Sequence, residues 1–445
     1  MNDSHAKVRS LALFDIRSLA VLGALALPTV TACNGPGFED PIDPGAGDTT
    51  PTPTDVEDPT PPDPSMDPEL TDPAVTDPEA TGPVDADGDG YIDIVDASGE
   101  LSEEWQRELD SRVIDYSAAL RVASLRLRGT LPTLVEIRYV AGAPEPRVAY
   151  EQLIDQMLEE PAFHQRMIDF FRDTFRMGGG ELDSAPVFAA QLVAEGRDFT
   201  EVFTATEGTC PTYDRDTDTF TAADCDNGVP MHAGLLTHPG IMRHYASNLA
   251  FRRVRFVQEV FACTPFPAEV GGNVDVGGEA PYTAPWPFES ISGEDNGGRV
   301  DFHDTSSVIC ANCHATMNHI APLFGRFAED GTWQDDFAVM LPLDGSPTAV
   351  RTDWLPDDEG TGWRFGVPAR NLPELGVALA ADPDVERCAV TRVWNWAMGH
   401  GDVIASVEVV PDAVTDSIVT TYAASGHDLR EVVRAVFTSG DFVSF

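Results

Sequence analysis

Five consecutive residues, Cys310-Ala-Asn-Cys-His314, restrict this chain more than any other part of its 445-residue sequence. Two thiols three residues apart share one turn of backbone, so both can add to the vinyl groups of a single haem. The adjacent histidine then offers a neutral ring nitrogen to the iron from the same side. Cys310, Cys313 and His314 are therefore expected to hold haem c, with His314 as the proximal ligand. The competing reading is a redox disulfide or half of a zinc site. Zinc wants further Cys or His ligands at short spacing. Only His303 and His319 are near, and no second Cys-x-x-Cys exists. Covalent haem attachment is made outside the cytoplasm, so the motif also predicts export.

The amino terminus meets that demand independently. Lys7, Arg9 and Arg17 precede a short apolar run, Leu19 to Leu27, and Val30-Thr-Ala-Cys33 follows. The run is too short to span a bilayer and reads as the apolar part of a signal peptide. The ending resembles a bacterial lipobox, which makes Cys33 the lipidation site and 1–33 the signal. An ordinary cleaved signal is the alternative. The expected location is the bacterial cell envelope, lipid-anchored and facing the periplasm or the exterior.

Residues 34–84 are dominated by Pro, Asp, Thr and Gly, as in Pro59-Thr-Pro-Pro-Asp-Pro64. Such a stretch cannot bury enough apolar surface to offset its chain entropy, so it is expected to be a disordered acidic linker. At its end, 85–96 places carboxylates at positions 1, 3, 5, 9 and 12 of a loop, namely Asp85, Asp87, Asp89, Asp93 and Asp96. Gly90 falls where such a loop turns sharply, and Tyr91 adds a carbonyl. That spacing wraps oxygens around one calcium ion. The stretch resembles the loops of dockerins and thrombospondin type 3 repeats, although dockerins use two such loops. A chance continuation of the acidic linker is the alternative.

Composition limits the partners. The formal net charge is −46, and no Lys or Arg occurs from Ser18 to Gln106. Nucleic acid is excluded, because phosphate binding needs a basic footprint. A cationic redox partner protein fits better. Of seven cysteines, four remain once Cys33, Cys310 and Cys313 are assigned. An even number in an oxidising compartment suggests disulfides. Cys210 with Cys225 would close a short loop, and Cys263 with Cys388 would tie the segment before the haem motif to the segment after it.

From Leu101 onward the periodicity is helical and the expected fold class is mainly α. Apolar spacing predicts helices over Trp105–Leu127, Ala149–Glu159, Pro161–Met177, Pro239–Tyr245 and Leu249–Ala262. It predicts four more over Leu372–Ala380, Asp384–Met398, Ala413–Ala424 and Asp428–Phe437. Thr130 and Pro132 suit a helix start. Phe163, Met167, Phe170, Phe171 and Phe175 form an aromatic stripe that reads as core. The expected organisation is an N-terminal helical domain at 101–205, a middle segment at 206–275, a haem segment at 276–345 and a C-terminal helical domain at 346–445. For the sixth iron position Met398 is favoured, with Met340, His400 and His319 as the other candidates and an empty site, suited to a small molecule, as the alternative. Arg252, Arg253 and Arg255 would face haem propionates or, more ordinarily, surface carboxylates.

Leu127-Arg-Gly-Thr-Leu-Pro-Thr133, the helix from Ala149 to Phe163, Met231 to Gly240, Cys310 to Met317, Gly331-Thr-Trp333, and the closing blocks at 388–399 and 427–442 follow one another in a recognisable order. Together they resemble the planctomycete-type cytochrome c domain proteins over most of 101–445. The resemblance implies exported, mostly helical proteins with c-type haem, and it supplies no settled reaction. Two places depart from the family pattern. Met317-Asn-His-Ile-Ala-Pro322 stands for the usual M-D-P-x-G, and Ala397-Met-Gly-His400 for the usual A-L-G-R. No Ser-His-Asp order, phosphate loop or paired carboxylates mark a hydrolase. The leading expectation is a tethered mono-haem protein for electron transfer or the redox part of an oxidoreductase. The alternative is a haem-free, calcium-braced helical binding module.

Overall fold

A computed structural model of the chain describes Arg107 and residues 111–264, 308–341, 347–363, 367–403 and 406–445, without side chains at 308–313, 315, 402, 403 and 406. The signal peptide with Cys33, the linker, the loop at Asp85, Asp87, Asp89, Tyr91, Asp93 and Asp96, and residues 265–307 lie outside the described residues.

The described chain is mainly helical. Asp115 caps α1 (Tyr116–Arg128) by accepting from the backbone of Ser117 and Ala118, and Gly129 closes it at φ 72°. The helix predicted from Trp105 is thus broken at 112–115. There Val113 and Asp115 donate backbone N–H to the carbonyls of Phe445 and Val443 at the far end of the chain. Next comes α2 (Leu134–Gly142), whose start is Thr133 rather than Thr130 or Pro132. Thr133 and Glu136 bond each other's backbone N–H reciprocally, at 2.6 and 3.2 Å.

Both α3 (Pro146–Met157) and α4 (Pro161–Thr174) open on proline, where a missing N–H costs nothing. Helix α5 (Ser184–Ala194) has no polar face, because Ala185 through Val193 are all buried. A short α6 (Glu201–Thr204) leads to a hairpin, β1 (Thr212–Asp214) paired with β2 (Thr219–Thr221). Then follow α7 (Pro239–His244), α8 (Phe251–Phe261) and α9 (Val308–Phe324), which carries the Cys-x-x-Cys-His motif. A two-residue pair, β3 (Gly362–Trp363) and β4 (Val367–Pro368), precedes α10 (Leu372–Ala380) and α11 (Pro383–Met398). After β5 (Asp402–Val403) and β6 (Ser406–Val407), the chain ends in α12 (Asp412–Ala424), α13 (Leu429–Phe437) and α14 (Gly440–Val443).

Helices from both ends share one core. α13 packs on α11 and α12 and also on α3 and α5, while α14 meets α1. Tyr150 Oη, buried on α3, donates to the Phe437 carbonyl at 2.7 Å. The aromatic stripe of α4 lies inside this core: Phe163, Met167, Phe170, Phe171 and Phe175 are all buried. Phe175 reaches Phe256 and Phe261, so the stripe carries the core across to α8.

One buried cation then fastens α9 to that body. Arg253 on α8 is 1 % exposed, and its guanidinium touches no surface carboxylate. Nε and Nη2 donate to the Met242 carbonyl at 3.0 and 2.7 Å. Nη1 donates to Phe324 and Phe327, and Nη2 also to Ala328, at 3.1, 2.9 and 2.8 Å. Phe324 is the last residue of α9, where carbonyls lack helical partners and a positive charge is favoured. Burial pushes Arg253 down to about 10, still charged at neutral pH. Neither role expected for it, propionate partner or surface ion pair, describes it; Arg255 does make an ion pair, with the buried Glu259 at 2.8 Å.

Arg253→Leu keeps some bulk but leaves the Met242 and Phe327 carbonyls without their donor, and leaves the Phe324 and Ala328 carbonyls only the backbone N–H of Phe327 and Gly331. At roughly 1–2 kcal/mol for each buried acceptor left without a donor, and less for the other two, it should cost about 3 kcal/mol. A guanidinium chloride titration of the two proteins checks this.

Candidate functional site

The motif residues stand on α9, which places Cys310 and Cys313 one turn apart and His314 directly after them. His314 is partly buried, and its ring meets Phe251 edge-on at 5.0 Å between centroids. One turn further, Asn318 Oδ1 lies 3.0 Å from His314 Nδ1. The amide oxygen accepts the Nδ1–H, which leaves Nε2 as the ring nitrogen with the lone pair. This is how histidine ligands of metals are commonly held. Burial pushes His314 below the ordinary histidine range, so the ring is neutral at physiological pH. Two thiols and a neutral, oriented imidazole on one helix fit the donor set of a covalently attached haem.

Phe251 is aimed by a strained turn. Leu249 and Ala250 both take left-handed backbone, at φ 52° and 58°. Each such non-glycine residue costs on the order of 1 kcal/mol. Two hydrogen bonds hold the turn in place: Trp354 Nε1–H to the Leu249 carbonyl at 3.0 Å, and Leu249 N–H to the Met340 carbonyl at 3.0 Å. Trp354 itself is fully buried. The same turn, together with α8 and β3, supplies the main packing of α9.

The four candidates for a second iron ligand separate by position. Met340 is bonded through its carbonyl to the turn that carries Phe251, and its side chain is 39 % exposed. His319 lies on α9 itself, with Nε2 3.1 Å from the Glu359 carboxylate. His400 Nδ1 is 3.1 Å from Glu408. Met398, the one favoured from sequence, ends α11, a helix that packs on α12 and α13. Its neighbour Trp396 stacks near Phe170 and Phe437, and α11 touches α8 at Val260, the end away from Phe251. Met340 is thus tied by its carbonyl to the turn before α8, with its sulfur 3.8 Å from Thr348 Oγ1, while Met398 lies on the helix that meets the other end of α8.

The four other predicted cysteines are joined in pairs, Cys210 to Cys225 and Cys263 to Cys388. The second bridge ties the end of α8 to α11. Sequence reading passed over His238, which is fully buried and bonded to Gly240 N–H, Ser184 and Cys210. The one usable signal was its place before Pro239, at a helix start. A small apolar cleft of about 40 Å³ lies elsewhere, lined by Phe171, Phe199, Phe203, Phe261, Leu379 and Tyr422. Comparison with family models, with curated proteins and with solved structures finds no match.

Ala250→Gly should relieve one strained residue, since glycine adopts φ near +58° freely, against the loss of one buried methyl. The expected outcome is a net gain of less than about 1 kcal/mol in unfolding free energy, read from the denaturant midpoint, where an ordinary buried Ala→Gly change would destabilise.

Proposed function

We propose that this chain is an exported, membrane-tethered, mono-haem c-type protein that transfers electrons or forms the redox part of an oxidoreductase. One observation carries the reading. His314 follows Cys313 on α9 as a neutral ring, fixed by Asn318 at Nδ1 and by Phe251 at its face. Cys310 and Cys313 would hold the porphyrin, and His314 would be the proximal ligand. When bound, haem supplies one-electron chemistry, with a potential set by its axial ligands and its burial.

The protein's own residues account for the rest. Asn318 fixes the tautomer, Phe251 limits rotation of the ring, and Arg253 keeps the far end of α9 from moving. Met340 is the preferred sixth ligand, because it is anchored to the turn that orients Phe251. The lipidated Cys33, the linker and a calcium loop at Asp85–Asp96 belong to the same reading, as a stalk and a brace. The resemblance to planctomycete-type cytochrome c domain proteins also points this way.

Absorption spectra in both redox states test it, on protein exported by a host that attaches c-type haem. The wild type should show a haem spectrum that survives denaturation. Cys310→Ala with Cys313→Ala should abolish covalent retention. Met340→Ala should shift the oxidised spectrum while Met398→Ala leaves it unchanged. A colourless exported protein would refute the haem reading. A haem spectrum indifferent to Met340 would refute the sixth-ligand assignment alone.

A further inference from the structure

Among the described residues, the sulfurs of the two disulfides meet different polar groups. Those of Cys263–Cys388 meet carbonyl oxygens: the Val260 carbonyl, which also accepts from Arg392, is 3.5 Å from the Cys388 sulfur, and the Cys388 carbonyl is 3.8 Å from the Cys263 sulfur. No hydroxyl or N–H bonds either sulfur directly there. Around Cys210–Cys225 the neighbours are donors. Thr209 Oγ1 lies 3.3 Å from the Cys225 sulfur, and His238 Nε2 lies 3.4 Å from the Cys210 sulfur.

The protonation of His238 follows from its other contact. Gly240 N–H points at Nδ1 from 3.1 Å, so Nδ1 is the acceptor and the ring's proton is on Nε2. Ser184 Oγ, at 3.1 Å, and the Cys210 sulfur share that N–H. Burial, with a smaller contribution from His232, pushes His238 down to about 3, which keeps the ring neutral. The sulfurs of Cys210 and Cys225 and a nitrogen of His238 lie within 4.8 Å of one another, a spacing that suits a metal ion. The tautomer argues otherwise, because an Nε2 that carries hydrogen has no lone pair for a cation.

We propose that Cys210–Cys225 is a thiol–disulfide exchange site whose co-substrate is a dithiol, with Thr209 and His238 receiving the two thiolates. Cys225 is 6 % exposed and Cys210 more open, so the incoming thiolate attacks the Cys210 sulfur. A bond forms from that thiolate to Cys210 as the Cys210–Cys225 bond breaks. The electron pair leaves on Cys225, facing the Thr209 hydroxyl. The second thiolate of the dithiol then attacks its own partner sulfur in the mixed disulfide, and Cys210 leaves as a thiolate facing His238 Nε2–H. Two electrons pass to the protein, the dithiol becomes a disulfide, and its two protons go to water or to the cysteines. Reduction frees the loop that holds β1 and β2, which Asp218 otherwise fastens to α4 through His164 at 2.9 Å.

The test equilibrates the full-length exported protein with graded ratios of reduced to oxidised dithiothreitol, followed by alkylation and peptide mass mapping. Cys210 and Cys225 should become alkylated at a ratio at least ~10-fold below that needed for Cys263 and Cys388. His238→Ser keeps a good helix cap but has no N–H and is too short to reach the Cys210 sulfur. Thr209→Val removes the hydroxyl at nearly constant shape. Each should raise the ratio needed at Cys210–Cys225 by about tenfold, the equivalent of one hydrogen bond to a charged sulfur. A purely structural role gives the opposite sign, because a loosened loop opens more easily. The proposal is overturned if the two bridges open together, if Cys263–Cys388 opens first, or if neither variant raises the Cys210–Cys225 ratio.

Discussion

The carboxyl end of α9 is fastened to the body by a guanidinium that found carbonyls instead of carboxylates. Arg253 uses its five N–H groups on the carbonyls of Met242, Phe324, Phe327 and Ala328. A charge taken out of water is tolerated only when its hydrogen bonds are replaced. Here the dipoles at two helix ends and the turn beyond α9 replace them. Arg392 repeats the device one helix further on, donating to the carbonyls of Glu259 and Val260 at the end of α8, each at 2.7 Å. α11 thus holds α8 by its last turn, and α8 holds α9 by its last turn. In a chain of net charge −46, both of these deeply buried cations serve backbone oxygens.

This anchoring matters because the chemistry expected of α9 lies at its other half. A helix pinned at Phe324 and packed along α8 holds His314 in one orientation. The left-handed pair Leu249 and Ala250 adds the second constraint, directly before Phe251, whose ring meets that of His314. Strain of this kind persists only where the surroundings over-determine it, and here Trp354 and Met340 do so through two backbone bonds. The costs fall on the residues around the site, while His314 itself is held by a hydrogen bond from its own helix.

Much of the helical frame was legible. α10 runs from Leu372 to Ala380 as its apolar spacing predicts, and the proline-led α3 and α4 differ from expectation only near their ends. The burial of the aromatic stripe followed from its width. α5 escaped because a helix buried on all sides has no periodicity to read. The start of α1 escaped because Val113 and Asp115 pair with the last residues of the chain, a contact that no local pattern announces. At the site, the three motif residues were legible from spacing alone. Asn318, Phe251 and Arg253 were not, since an arginine in sequence shows its charge and not its burial. The choice between Met398 and Met340 likewise turns on which end of α8 each one meets.

The central claim is that a single haem is carried through the two thiols on α9. Peptide mass mapping of exported, fully matured protein tests it most directly. The account predicts that the fragment spanning Cys310 and Cys313 gains the mass of one haem and that neither cysteine takes up an alkylating reagent after reduction. Recovery of both as alkylatable thiols, with no haem on any fragment, would contradict it.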